Sequence, residues 1–170
     1  MNVYDTHFDS NEWFVLSGLF IGAVLVVLLP KRFRAKNAIV YYTCGLYTGL
    51  FFDHSLGLEP IDLYDVDDSS AYEWTDFLSY VSYGCVSYIF FYVYDRIGVR
   101  PSRIAVYVLV WALLSTGMEW LAVQAHVFHY RLGYRLAYSF LIYLIVHSCW
   151  LALFHWCEKI AGERPRRHPG

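Results

Sequence analysis

The sequence predicts an all-α polytopic membrane protein, a bundle of five transmembrane helices with the amino terminus outside and the carboxyl terminus inside. Three observations carry that prediction. Of 170 residues, 58% are hydrophobic, 20% aromatic and only 16% charged, where a soluble domain has about 25% charged residues. The apolar residues fall in long blocks and not at the period of half-buried elements. Lys and Arg alternate with Asp and Glu from one connection to the next. This composition excludes an ordinary cytosolic enzyme, a secreted disulfide scaffold and a disordered chain. The formal net charge of -2 hides a segregation of basic residues into three clusters, which leaves no basic face for nucleic acid.

Crossing a hydrocarbon core of about 30 Å takes about 20 mostly apolar residues, and five segments qualify. The first is Trp13 to Pro30, between Glu12 and Lys31. The second runs from about Asn37 to Phe52 and is the shortest. The third spans Trp74 to Tyr94, and the fourth Ser102 to about Ala125, opened by Pro101 at a favoured first-turn position. The fifth covers Tyr134 to Cys157. Residues 1–160 thus form a single five-helix transmembrane domain, and residues 161–170 a short basic cytoplasmic tail suited to anionic lipid heads.

Loop charges set the orientation. Lys31, Arg32, Arg34 and Lys36 follow the first span, Arg96, Arg100 and Arg103 the third, and Lys159, Arg164, Arg166 and Arg167 the fifth. The alternate segments carry Asp5, Asp9 and Glu12, then a run of acids from Glu59 to Glu73, and finally Arg131 and Arg135. The expected location is the cytoplasmic (inner) membrane, multi-pass, without a cleaved signal, since the amino-terminal segment is acidic where a signal needs basic residues. Cys44, Cys85, Cys149 and Cys157 form no CxxC pair and read as buried thiols.

Gly18-xxx-Gly22 and Gly45-xxx-Gly49 each put two small residues one turn apart on a helix face, where another backbone approaches closely. Because a short basic loop joins the first two spans, the simplest expectation is that they pair with each other. A homodimer seam through the Gly18/Gly22 or Gly45/Gly49 face is the alternative. Beyond that, the expected partner is the lipid bilayer, with no nucleic acid.

Ionisable residues inside spans carry more information, because a carboxylate near the bilayer centre is unfavourable by about 2.5 to 3.5 kcal/mol on insertion scales and turns towards a bundle interior or water. A rise of about 1.5 Å per residue puts Glu119 roughly 25 Å from the inner surface, in the outer leaflet. Asp53, Asp76 and Tyr143 fall near the same level by the same count. Asp76, Tyr80, Tyr83 and Ser87 recur at helical spacing in the third span, and Ser139, Tyr143 and His147 in the fifth. These stripes are expected to face each other in a hydrogen-bonded interior. His147 lies nearer the midplane, as a proton carrier or as a neutral core histidine.

Asp53 stands at the carboxyl end of the second span, where the helix dipole disfavours an anion. Its expected counter-charge, and that of Glu119, is Arg131, Arg135, His54, His126, His129 or a bound metal ion, with a structural ion pair foremost. Asp76 opens the third span and reads equally as a helix cap. No cofactor is predicted. A divalent cation is a weaker candidate in the loop from Asp62, where Asp65, Asp67, Ser69, Glu73 and Asp76 imitate calcium-loop spacing, although Ser70 replaces the required Gly. His126 and His129, seven and ten residues after Glu119, share a face with it only if the fourth span continues as helix.

Read together, Phe52-Asp-His54, Asp62-Leu-Tyr-Asp65-Val-Asp67, Asp76-Phe-Leu-Ser-Tyr80, Gly117-Met-Glu119-Trp-Leu, Val127-Phe-His129-Tyr and Tyr138-Ser-Phe resemble a group of small multi-pass membrane proteins from spore-forming Gram-positive bacteria. The resemblance covers most of the chain from the second span to the fifth. It implies a bacterial cytoplasmic membrane and brings no catalytic residues. The function expected is non-enzymatic: a structural, partner-binding or ion-sensing protein with an outward-facing acidic, His and Tyr layer. A small proton-coupled transporter and a membrane-embedded metal-dependent enzyme are the alternatives.

Overall fold

The computed structural model describes residues 7–57, 60–67 and 74–160. Five helices dominate: α1 (Ser10–Leu28), α2 (Ala35–Leu56), α3 (Trp74–Ile97), α4 (Ile104–Gln124) and α5 (Leu136–Ile160). Every predicted span boundary lies within four residues of a helix end. The helices α1, α3, α5 and α4 with its leading 3-10 turn, Pro101–Arg103, are long and apolar enough to cross a membrane. At 22 residues α2 is as long, but Tyr41, Tyr42, Thr43, Tyr47, Thr48 and Asp53 dilute its apolar run. The all-helical expectation omits one element, an antiparallel pair of three-residue strands, β1 (Tyr64–Val66) and β2 (Phe128–Tyr130).

Local chemistry explains the helix ends. Asp9 accepts the Asn11 N–H at 3.2 Å while Glu12 accepts the Asp9 N–H at 2.8 Å, a reciprocal cap that satisfies backbone donors at the start of α1. At the end of α4 the chain closes a 6→1, 5→2 turn, in which the Val127 N–H meets the Ala122 carbonyl at 2.9 Å and the His126 N–H meets the Val123 carbonyl. His126 takes the left-handed position of that turn, with φ 62°, where glycine is usual. The helix therefore stops before His126. The expectation of His126 and His129 sharing a helical face with Glu119 fails for that reason.

The centre of the bundle is α3, half of whose 24 residues are buried. Both α1 and α2 pack on α3 and scarcely on each other, which corrects the expected pairing of the first two spans. Their small residues show why. A Cβ added at Gly22 would stand 2.9 Å from Cys85 Cβ, and one at Gly45 would stand 2.1 Å from the Tyr83 carbonyl oxygen. Gly49 meets the rings of Tyr83 and Tyr80. The Gly45/Gly49 face is thus filled from within the chain, while Gly18 has nothing within 4 Å of where its Cβ would be.

Further along α3, rings separate the helices. Phe90 and Phe91 of α3, Tyr41 of α2, Tyr107 of α4, and Trp150 and Phe154 of α5 form the main core. Tyr41 stacks on Phe91 at 4.4 Å and Phe91 on Phe154 at 6.0 Å. A second, smaller cluster, Val15, Ala122 and Val127, lies beside the strands and joins α1 to α4. The outward surface is as apolar as the interior: Phe20, Val27 and Leu28 of α1 are all exposed, an apolar surface of the kind that a bilayer accommodates.

The bundle has two chemically distinct ends. At one, the Arg32 guanidinium binds Asp95, and Asn37 and Tyr41 donate to Glu158 Oε1 at 3.3 and 3.0 Å. At the other, the strand pair joins the connection after α2 to the connection after α4, with Tyr64 opposite Tyr130, Asp65 opposite His129 and Val66 opposite Phe128. Two left-handed aspartates, Asp62 (φ 51°) and Asp67 (φ 54°), bracket β1. Aspartate tolerates that conformation better than most residues.

Candidate functional site

Glu119 is the focus of the strand end. It is 8% exposed, and three hydroxyls donate to its carboxylate: Tyr130 at 2.5 Å, Ser139 at 2.5 Å and Tyr143 at 2.6 Å. The Ser139 oxygen is in turn 3.0 Å from the Tyr134 hydroxyl. With the Ser139 proton committed to Glu119, Tyr134 is the donor in that contact. Short O–H···O⁻ bonds of this kind are about twice as strong as neutral ones. An ionised carboxylate only accepts, and the site surrounds it with donors.

Each donor is delivered by a different piece of local structure. Ser139 and Tyr143 are four residues apart on α5 and share a face, whereas Tyr130 ends β2. Asp53, in the last turn of α2, accepts the Tyr64 hydroxyl at 2.8 Å. Tyr80 of α3 stands beside the same carboxylate, and Tyr83 lies within electrostatic reach of both Asp53 and Glu119. The two carboxylates also feel each other. Two acids and a ring of tyrosines therefore make one buried centre from α2, α3, α4, α5 and the strand pair.

The strand tyrosines are held as donors. Burial first, and then the adjacent carboxylate, push the Tyr64 and Tyr130 hydroxyls above the usual phenol range, with Asp53 acting on the first and Glu119 on the second. Burial likewise lowers His129, with His126 adding to the effect and Asp65 opposing it.

Several sequence candidates lie elsewhere. Arg131 does not reach Asp53 or Glu119: its guanidinium binds Asp62 at 2.8 Å and Asp65 at 3.1 Å. The expected arginine–carboxylate pairing is corrected on that geometry, because aspartates across the strand pair are nearer to Arg131 than the buried acids. Arg135 is exposed. His54, by contrast, stays near the centre: exposed at the end of α2 with its Nδ1 2.9 Å from the Leu50 carbonyl, it is within electrostatic reach of Asp53. His126 and His129 stack on each other at 6.2 Å on the outer side of the strands. Asp76 is buried in the first turn of α3.

His147 lies one turn below Tyr143, 1% exposed, sandwiched by Tyr143 at 6.1 Å and Phe90 at 5.2 Å. For the divalent-cation candidate, Asp65 is engaged by Arg131, Asp67 is buried, and Glu73 lies outside the described residues. Among the described residues no three His, Cys, Asp or Glu side chains are grouped as metal ligands.

Tyr64 and Tyr130 are the site residues that sequence reasoning missed. Strands of three residues fall below the length at which alternation is legible. Their only local sign is the apolar–acidic–apolar step of Tyr64-Asp65-Val66 and the aromatic spacing of Phe128-His129-Tyr130.

Fold and site together define a helical protein of membrane-spanning dimensions with a buried carboxylate–tyrosine centre at one end of its bundle. Comparison of the chain with protein-family models, curated proteins and solved structures finds no match.

Proposed function

We propose that this chain is a non-enzymatic, five-span protein of the bacterial cytoplasmic membrane, amino terminus outside and carboxyl terminus inside, whose outward-facing carboxylate–tyrosine centre is an ion-responsive element. The basic residues at the Arg32 end and the acids at the strand end support that orientation. In this reading α2 is the fifth span, with Tyr42 turned to α3 and Tyr41 and Thr48 to α5, and its length of about 33 Å is sufficient to cross. The bacterial setting rests on the resemblance of its motifs to the small membrane proteins of spore-forming bacteria.

The observation that carries the reading is the triple hydroxyl contact to Glu119. A buried carboxylate met by three hydroxyls, with no cation in salt-bridge range among the described residues, changes its bonding when a proton or a cation arrives. The test is a comparison of wild type and Glu119→Gln in lipid nanodiscs, following tyrosine fluorescence and unfolding temperature across pH and with added sodium or calcium. The reading expects an ion response in the wild type that the variant loses. Identical responses in both proteins would remove it.

A second reading, proton-coupled transport, draws on His147. It stands between the Glu119 centre and the Glu158 cluster on one face of α5, stacked on Tyr143. Proteoliposomes showing no pH-driven dye response, beside an active control transporter, would dismiss it.

A further inference from the structure

Both connections at the Arg32 end of the bundle, and the last turn of α5, carry exposed cations. Lys31 and Lys36 flank the passage from α1 to α2, Arg96, Arg100 and Arg103 lie along the passage from α3 to α4, and Lys159 closes α5. We infer that Arg96, Arg100 and Arg103 bind the head group of an anionic phospholipid whose acyl chains lie along the apolar surface of α3 and α4. This inference rests on the membrane-spanning reading above and is independent of the ion response assigned to Glu119.

The charges at this end are unbalanced. Among the described residues its acids are Asp95 and Glu158, and both are used inside the bundle. Asp95 binds the Arg32 guanidinium, and Glu158 accepts from Asn37 and Tyr41. Neither α2 nor α4 has an acidic residue in its first turn, whereas α1 and α3, which start at the strand end, carry Glu12 and Asp76 there. Among the described residues the ion pairs are those of Arg32 and Arg131, so Arg96, Arg100 and Arg103 have no carboxylate partner. Like charges on one short connection repel each other, and an anion from outside relieves that repulsion.

The local structure gathers the arginines. Gly98 takes the left-handed position after α3, with φ 59°, and the Arg103 N–H meets the Arg100 carbonyl at 2.8 Å in the 3-10 turn that leads into α4. Arginine presents a planar fork of N–H donors that matches phosphate oxygens. Apolar surface begins on either side of the turn: Ile97 and Val106 are exposed, and Leu109, Val110 and Leu113 continue that surface along α4. A free phosphate would meet the cations and leave this surface bare. A phospholipid covers both, and clustered cations at the end of a membrane-spanning helix recognise such lipids. At the strand end Arg131 is held instead by Asp62 and Asp65.

The experiment reconstitutes the full chain in phosphatidylcholine vesicles and compares, by electron spin resonance, the immobilised fractions of spin-labelled phosphatidylglycerol and spin-labelled phosphatidylcholine. A preference for phosphatidylglycerol on the order of fivefold is expected, declining as salt rises from about 0.05 to about 0.5 M. Arg96→Gln with Arg100→Gln and Arg103→Gln should abolish it. Arg96→Lys with Arg100→Lys and Arg103→Lys keeps the charge and should keep most of the preference, which separates loss of charge from loss of fold. Arg135→Gln, at the other end, should leave it unchanged. A preference surviving in the glutamine variant, its loss in the lysine variant, or an equal loss in Arg135→Gln overturns the assignment. So does displacement of the labelled lipid by millimolar inorganic phosphate at constant ionic strength, which would make the site one for free phosphate. If both probes are immobilised alike, the lipid site falls and the membrane-spanning reading stands. If neither is immobilised, both fall.

Discussion

The Ser87 hydroxyl accepts the Gly45 N–H at 3.0 Å and donates to the Tyr41 carbonyl at 2.7 Å, so α3 is hydrogen-bonded to the backbone of a helix it touches with almost no side chain between them. Such approach is possible because Gly45 has no Cβ. Gly45→Ala is expected to lower stability by about 2 to 4 kcal/mol, as overpacking against a backbone carbonyl that cannot retreat. Gly18→Ala, on the open face of α1, should leave stability unchanged or raise it by up to about 1 kcal/mol. Equilibrium unfolding of the two variants in mixed micelles checks the contrast, and equal effects would contradict the packing.

Glu119 gives a second graded pair. Glu119→Ala strands three hydroxyl donors and is expected to destabilise by about 3 to 5 kcal/mol. Glu119→Gln keeps the shape and one acceptor oxygen but loses the charge, and about 1 to 2 kcal/mol is expected. The order of unfolding midpoints, wild type above Gln above Ala, is the measurement.

At His126 the left-handed backbone is strained for any residue with a Cβ. His126→Gly should therefore keep or raise stability by up to about 1 kcal/mol, and His126→Val should lower it by about 1 to 2 kcal/mol. Were His126 held for a contact of its imidazole, both variants would fall together in thermal unfolding.

His129 sets a direction with pH. Its folded value lies below the ordinary one of 6.5, so the unfolded chain binds the proton more readily. The fold is undisturbed by this group above about pH 6.5 and loses stability as pH falls below it, until the folded histidine also protonates. Replacing His129 with Gln should remove that part of the acid sensitivity. Unfolding midpoints of both proteins between pH 8 and pH 5 make the comparison.

The helices were legible because their signal is local: long apolar blocks, and Pro101 at a first turn. The interior stripe was legible too, since Ser139 and Tyr143 are spaced to share a face and both meet Glu119. What stayed hidden depends on distant pairing. Tyr64 and Tyr130 are 66 residues apart and meet only because two connections cross the same end of the bundle. Arg131 was assigned to the buried acids by charge alone, yet Asp62 and Asp65 come within ion-pair distance of it once the strands register. The pairing of the first two spans was inferred from a short loop, whereas the glycines that decide it point to α3.

The place of α3 in the chain has a consequence for biogenesis. A chain is made amino terminus first, at about 5 to 20 residues per second. When α2 has emerged, its partner is still about 40 residues away, a wait of roughly 2 to 8 seconds at that pace. Through that interval Gly22 of α1 and Gly45 of α2 face nothing of their own chain. The arrival of α3, bringing Cys85 and Ser87 to those two glycines, is the event that turns separate helices into an assembly.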